Sequence, residues 1–342
     1  MRVAGIGISK GIATMSEGAP GAAPSALSRT RLIVPVLNGG NRWCEAARAI
    51  RSSFADPASV LVVDSGSTDG SDSVAKECGF ELRRIESRSF NHGGTRQWAI
   101  EQFCADREFA VFLTQDAVLE GAQSLAALMD AFSDPSVGAA YGRQVPHAGA
   151  GAFEAHVILF NYGAHSETRS LTDAPRLGIK TAYLSNSFAA YRLSVLASCG
   201  GFPSHLILGE DTFVAVNMLM AGWKIRYCAD ARVMHSHAYT IVQDAKRYFD
   251  FGVLHAQLPK LLHHFGNAEG EGARFFLSEL RYVASHAPLS LPLVPVRNGA
   301  KYIGYRLGRN FIKLPRGLCR RMSMTKVFWP DADAARPDES SN

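Results

Sequence analysis

Leu61-Val62-Val63-Asp64-Ser65-Gly66-Ser67-Thr68-Asp69-Gly70 begins as a β-branched apolar run and ends as an acidic, hydroxyl- and glycine-rich loop. The run suits a strand buried on both faces, and the loop residues are turn formers. Upstream, Arg31-Leu32-Ile33-Val34-Pro35-Val36-Leu37-Asn38 has the same form, and residues 43–54 between the two read as a helix. Such a strand–helix–strand unit carries polar groups at the carboxyl ends of its strands, where open α/β sheets bind ligands. Packing accounts for the valines but makes no demand for Asp64. Its carboxylate suits either hydrogen bonds from a nucleobase or ribose edge, or the capping of a helix that starts near Asp69.

The alternation continues. A short strand at 81–85 leads to the polar turn Ser89-Phe90-Asn91-His92-Gly93-Gly94 and a helix over 95–104. Phe109-Ala110-Val111-Phe112-Leu113-Thr114 is the strongest strand signal and runs directly into Gln115-Asp116-Ala117. Next come a helix at 122–132, strands at 137–141 and 188–192, a helix at 210–221 and a strand at 224–228. Long helical patterns then occupy 241–265 and 273–285. The pattern predicts an α/β fold whose parallel sheet is covered on both faces, followed by a helical extension.

With 342 residues, 47% hydrophobic and 20% charged, the chain can form one large domain with an extension, or two domains. Residues 1–28, rich in Gly, Ala and Ser, and the acidic tail 331–342 are expected to be disordered. The net charge of +5 is unevenly placed, because residues 280–330 hold ten Lys and Arg and no acid. Six scattered cysteines suggest neither a zinc site nor a disulfide framework, and fit a reducing cytoplasm. No apolar run reaches the roughly 18 residues of a membrane span, and no nucleic-acid module is recognisable.

Four groups carry candidate chemistry. Asp116 follows a buried strand and emerges at the sheet edge, either as a loop acid in water or as a ligand for a hard cation that holds phosphate oxygens. Glu210 and Asp211 precede the apolar face Phe213, Val216, Met220 and Trp223, and suit the helix dipole as well as catalysis. His235 and His237 follow the strand-like 231–234 and can simply face solvent. Arg96 sits at a helix start, where a cation opposes the dipole and is better understood if it meets an anion.

Together these pieces resemble the family 2 glycosyltransferases over residues 31–239. The likeness rests on the first strand ending in Pro35 to Asn38, the Asp64 segment, an acid after the central strand, Glu210-Asp211 and His235. A narrower likeness to bacterial polysaccharide rhamnosyltransferases rests on Phe90-Asn91-His92-Gly93-Gly94-Thr95-Arg96, Thr114-Gln115-Asp116-Ala117 and Gly304-Tyr305-Arg306-Leu307-Gly308-Arg309-Asn310-Phe311. One departure stands out. Where the general family carries Asp-x-Asp, this chain reads Thr114-Gln115-Asp116, with a carboxylate only at the last position.

The resemblance implies a glycosyltransferase A fold, with a mostly parallel Rossmann-like sheet and a catalytic domain at 29–240, and a basic helical extension at 241–330. It implies that Pro35, Asn38, Asp64, Arg96, Gln115 and Asp116 bind a nucleotide-diphosphate sugar. Asp116 and His235 would hold a divalent cation, Mg²⁺ or Mn²⁺, with His237 as the fallback ligand. Asp211 would be the general base, worth about 10²–10⁴-fold, with Glu210 orienting it, and direct displacement would invert the anomeric centre. The expected reaction moves L-rhamnose from dTDP-L-rhamnose to a saccharide or lipid-linked saccharide acceptor at the cytoplasmic face. There the basic extension would contact the membrane peripherally. The alternatives are another donor (galactofuranose, mannose or glucose) or a nucleotide-sugar-binding protein without catalysis. A nicotinamide oxidoreductase is set aside, because Asn38-Gly39-Gly40-Asn41 lacks the Gly-x-Gly-x-x-Gly spacing.

Overall fold

The computed structural model describes residues 26–329 except 55, 267 and 268. The segments expected to be disordered lie outside these residues, with one correction: Ala26–Arg29 is a 3₁₀ turn, so ordered chain begins before residue 29. The chain continues through β1 (Thr30–Val36), α1 (Gly40–Ser53), β2 (Val60–Asp64), α2 (Ser71–Glu77), β3 (Glu81–Arg84), α3 (His92–Phe103) and β4 (Phe109–Leu113). Next are β5 (Val118–Leu119), α4 (Gln123–Met129), β6 (Val137–Val145), α5 (Ala152–Asn161), β7 (Glu167–Arg169) and α6 (Ala174–Leu177). They are followed by β8 (Phe188–Arg192), α7 (Leu193–Ser198), α8 (Glu210–Met220) and β9 (Lys224–Met234). Five helices end the described chain: α9 (Ile241–Gln257), α10 (Pro259–Phe265), α11 (Glu269–His286), α12 (Leu293–Arg309) and α13 (Arg316–Met322).

The strands form one sheet in the order β3-β2-β1-β4-β8-β6-β9-β5, with β7 paired to β9. The expected α/β architecture is present. Its parallel pairing is concentrated in β3-β2-β1-β4, while β8 runs antiparallel to both β4 and β6 and makes the sheet mixed. Alternation along the strands explains the two layers. Leu32, Val34, Val60, Val62 and Val111 face one core, where α1 buries Trp43, Ala46, Ala47 and Ile50 at helical spacing. Ile33, Leu61, Val63, Ala110 and Phe112 face the other, filled by α8 and α9.

Two segments are joined or broken differently from the sequence reading. The segments at 224–228 and 231–234 are one strand, interrupted by a register shift against Gly142 and Arg143. The helical pattern at 241–265 breaks at Leu258, because Pro259 has no N–H to continue α9 and instead starts α10.

The terminal helices pack onto the sheet domain. Phe249 and Val253 of α9 are fully buried in the same core as the strands. α12 lies against α9 backbone to backbone, since a Cβ at Gly304 would overlap the Ala245 carbonyl and one at Gly308 the Phe249 carbonyl. Part of the expected basic surface is therefore internal. Lys301 is only 4% exposed and pairs with Glu279 at 3.4 Å, and Arg297 pairs with Asp244. Among the described residues no helix is long and apolar enough to cross a membrane.

Candidate active site

The carboxyl ends of β1 and β4 open into a cavity of about 800 Å³ that runs toward α5, α9 and α12. Pro35, Arg96, Gln115, Asp116 and His235 line it, whereas Asn38, Asp64, Glu210 and Asp211 do not.

Asn38 and Asp64 are bonded within and between their own loops. Asn38, at φ 47°, accepts from Thr68 N at 2.8 Å and donates its backbone N–H to Ser67 Oγ at 2.9 Å. Asp64 is 1% exposed and accepts from the backbone of Gly66 and Ser67 at 3.2–3.3 Å. Asp64 therefore does not cap the helix that follows, whose N-cap is Gly70. Ser65, next to Asp64, is the residue that reaches the cavity wall.

Gln115, at the middle position of the triplet, has a structural role. Its Oε1 accepts from Leu37 N at 2.8 Å and its Nε2 donates to Leu37 O at 3.2 Å. It thus locks the end of β1 to the end of β4 and sets Asp116 beside it. Asp116 Oδ1 lies 3.4 Å from His235 Nε2, and Oδ2 lies 3.6 Å from His237 Nε2. One ligand atom from each of the three residues falls within 4.8 Å of the others. His235 is buried rather than solvent-facing, and His237 is stacked on Tyr239.

The cluster is prepared as a ligand set. His235 Nδ1 donates to Gln144 Oε1 at 2.8 Å, while Gln144 Nε2 donates to Ser185 Oγ at 3.1 Å. With Nδ1 engaged in that chain, Nε2 faces Asp116. Burial works against the Asp116 carboxylate, but the hydrogen bond and charge of His235, and then His237, outweigh it and hold the carboxyl below its usual range. Burial, followed by His235, pushes His237 down to about 4. One carboxylate with two imidazoles suits a divalent first-row cation. His237 was foreseen only as a fallback. Gln144 and Ser185 were missed, having no signal beyond polar residues near strand ends.

The acidic pair stands beside the Ser185–Ser187 segment of the wall. Glu210 is buried, 2.9 Å from Arg96 Nη1 and 2.9 Å from Asn186 Nδ2. Burial opposes its charge, but Arg96, His92 and Asn186 together hold the carboxyl low. Asp211 accepts from the backbone of Asn186 at 3.1 Å and of Thr212 at 2.7 Å. Burial and then the charge of Glu210 push it up to about 6. Ser185 and Ser187, on either side of Asn186, line the cavity. A hydrogen-bonded path thus runs from Asp211 through the 185–186 backbone and Gln144 to His235.

The 90–96 motif joins these parts. Asn91 caps α3 by accepting from Gly94 N and donates to Ser204 O, both across short distances of 2.7 and 2.8 Å. A Cβ at Gly93 would overlap the Pro203 carbonyl, so only glycine lets α3 approach the loop before α8. That approach brings Arg96 to Glu210.

Residues 32–249 match the family model described as "Glycosyltransferase like family 2". The chain is 44% identical over 299 residues to the O-antigen chain rhamnosyltransferase WbaN of Salmonella anatum, covering 87% of this chain and 95% of that one. It is 43% identical over the same shares to the O-antigen chain rhamnosyltransferase RfbN of Salmonella typhimurium. Among solved structures, the mannosyltransferase PcManGT from Pyrobaculum calidifontis, in complex with GDP-Man and Mn2+, shares the fold at a TM-score of 0.50. That likeness has 18% identity and covers 91% of this chain and 88% of the other.

Proposed function

The chain belongs to glycosyltransferase family 2 and is a glycosyltransferase of the GT-A fold, and we propose that it transfers L-rhamnose from dTDP-L-rhamnose. The acceptor is a hydroxyl of a growing, lipid-linked O-antigen or related surface polysaccharide. The observation that supports this donor and product is the near-full-length similarity to two O-antigen chain rhamnosyltransferases.

The residues divide the work. Pro35, Ser65 and Gln115 form the wall that takes the nucleotide, at the strand ends where such folds bind ligands. Asp116, His235 and His237 would hold a divalent cation, which when bound would supply positive charge to the departing diphosphate. Asp211, pushed up to about 6 and partly exposed just outside the cavity lining, is the group we assign to take the proton from an acceptor hydroxyl brought against it as that oxygen attacks the anomeric carbon. Glu210 keeps Arg96 neutralised and holds Asp211 up in pKa. Attack from the face opposite the leaving diphosphate inverts the anomeric centre.

A lipid-linked acceptor places the enzyme at the inner face of the cell membrane. The outer side of α12 supports a peripheral contact there: Val296, Tyr302 and Ile303 are 53–59% exposed. Leu289 and Ile312 are nearly bare beside it, and Arg281, Arg306, Lys313, Arg316, Arg321 and Lys326 are exposed around it. Each such cation adds about 1 kcal/mol near an anionic leaflet.

Purified enzyme incubated with a panel of nucleotide sugars and a lipid-linked acceptor, with and without chelator, tests the reaction. Release of dTDP from the rhamnose donor alone is expected, and turnover of a different sugar nucleotide instead would overturn the donor assignment. Flotation with phosphatidylglycerol vesicles tests the contact, which is sunk if no salt-sensitive binding appears.

A further inference from the structure

Asp244, Arg247, Tyr248 and Phe251, spaced to share one face of α9, line the far half of the cavity. Four Arg or Lys side chains reach that cavity, and three of them are already neutralised. Arg96 pairs with Glu210, Arg297 with Asp244 and Lys301 with Glu279. Arg247 makes neither an ion pair nor a hydrogen bond among the described residues, and its guanidinium lies over the Phe251 ring at 4.9 Å. Its charge is felt across the site: burial, then Arg96, then Arg247 hold His92 below the usual imidazole range.

A half-buried cation without a counter-charge is an unfavourable arrangement that an anionic ligand relieves. The ligand's charge can be counted. A nucleotide-sugar diphosphate carries two negative charges, and a third develops as the sugar leaves. A divalent cation on Asp116 contributes a net single positive charge, so the departing group still lacks positive partners, and Arg247 is the unpaired one in the cavity. A guanidinium fork also fits two phosphate oxygens at once. Resting on the transferase reading above, we propose that Arg247 binds a substrate diphosphate in this cavity. The charge count favours the donor's leaving group, and a lipid diphosphate on the acceptor offers the same chemistry.

Calorimetric titration of the full chain, with Mg²⁺ present, uses inorganic pyrophosphate, dTDP and thymidine as probes. Arg247→Gln is expected to weaken pyrophosphate and dTDP about 10- to 100-fold and to leave thymidine unchanged. Arg247→Lys, which keeps the charge but loses the fork, falls between. Weakened pyrophosphate with unchanged dTDP, together with a raised KM only for acceptors that carry a diphosphate, assigns the same role to the acceptor side. Pyrophosphate affinity unchanged in Arg247→Gln, or absent from the wild type, overturns the proposal. If the glutamine variant does not fold, unchanged affinity in Arg247→Lys overturns it equally. Failure of the wild type to transfer from any nucleotide sugar would instead count against the transferase reading, because pyrophosphate binding is read separately.

Discussion

Replacing Glu210 by Gln separates the structural role of this carboxylate from its electrostatic one. The ion pair to Arg96 spans 2.9 Å between side chains only 5% and 7% exposed. Glutamine keeps the size and an oxygen for Asn186, but it leaves the guanidinium buried without a counter-charge, and Arg96 Nε already lacks a partner. Breaking one side of such a pair costs about 3–5 kcal/mol, a large share of the roughly 5–15 kcal/mol that holds a typical domain together. The second effect falls on Asp211, which burial and then the charge of Glu210 raise to about 6. A base acts only when unprotonated, so wild-type activity should fall as pH drops through about 6. With a neutral residue at 210, the second cause of the shift disappears while burial remains. The acid limb of kcat/KM should therefore move to lower pH, even as maximal activity and stability decline. Urea unfolding reads the first effect and the pH–rate profile reads the second. A variant with wild-type stability and an unmoved acid limb would refute both the buried pair and its coupling to Asp211.

Three further outcomes follow from the same geometry. Asp211→Asn should lower kcat by about 10²–10⁴-fold while nucleotide affinity stays within a few-fold, and near-normal turnover would remove Asp211 as the base. Asp116→Ala and His235→Ala should each weaken divalent-cation dependence and dTDP binding; full wild-type activity in excess chelator would sink the metal assignment. Gly308→Val places atoms where the Phe249 carbonyl lies and should cost about 1–3 kcal/mol by thermal or urea unfolding, whereas unchanged stability would mean that α12 shifts freely on α9.

How much of this was legible in the sequence depended on how local the physics is. β1, β2 and β4 could be read directly, because strands buried on both faces require continuous β-branched and aromatic runs, and these have them. The antiparallel insertion of β8 between β4 and β6 was not readable, since strand direction is set by connections made far away. Asp64 shows the limit at a single residue. An aspartate after a strand looks the same whether it caps the next helix or folds its own turn, and here it accepts from the Gly66 and Ser67 amides while Gly70 stands at the helix start. Gln115 is the opposite case. The middle residue of the triplet carries no assigned structural role in the sequence, yet its carboxamide bonds both the N–H and the C=O of Leu37. A carboxylate, which only accepts, cannot do that.

Charge in the site obeys the same logic. Sequence shows that Arg96, Arg247, Arg297 and Lys301 are cations but not which of them are spent. The three carboxylates that neutralise Arg96, Arg297 and Lys301 come from other helices, so the pairing exists only once α3 meets α8, and α12 meets α9 and α11. Arg247 sits one helical turn from Asp244 and would be taken for that residue's partner on spacing alone. Arg297 takes the Asp244 carboxylate instead, held by its further bond to the Tyr239 carbonyl at 2.8 Å. The fold thereby leaves Arg247 as the cavity's one unpaired guanidinium among the described residues. Substrate charge, rather than protein charge, is what completes it.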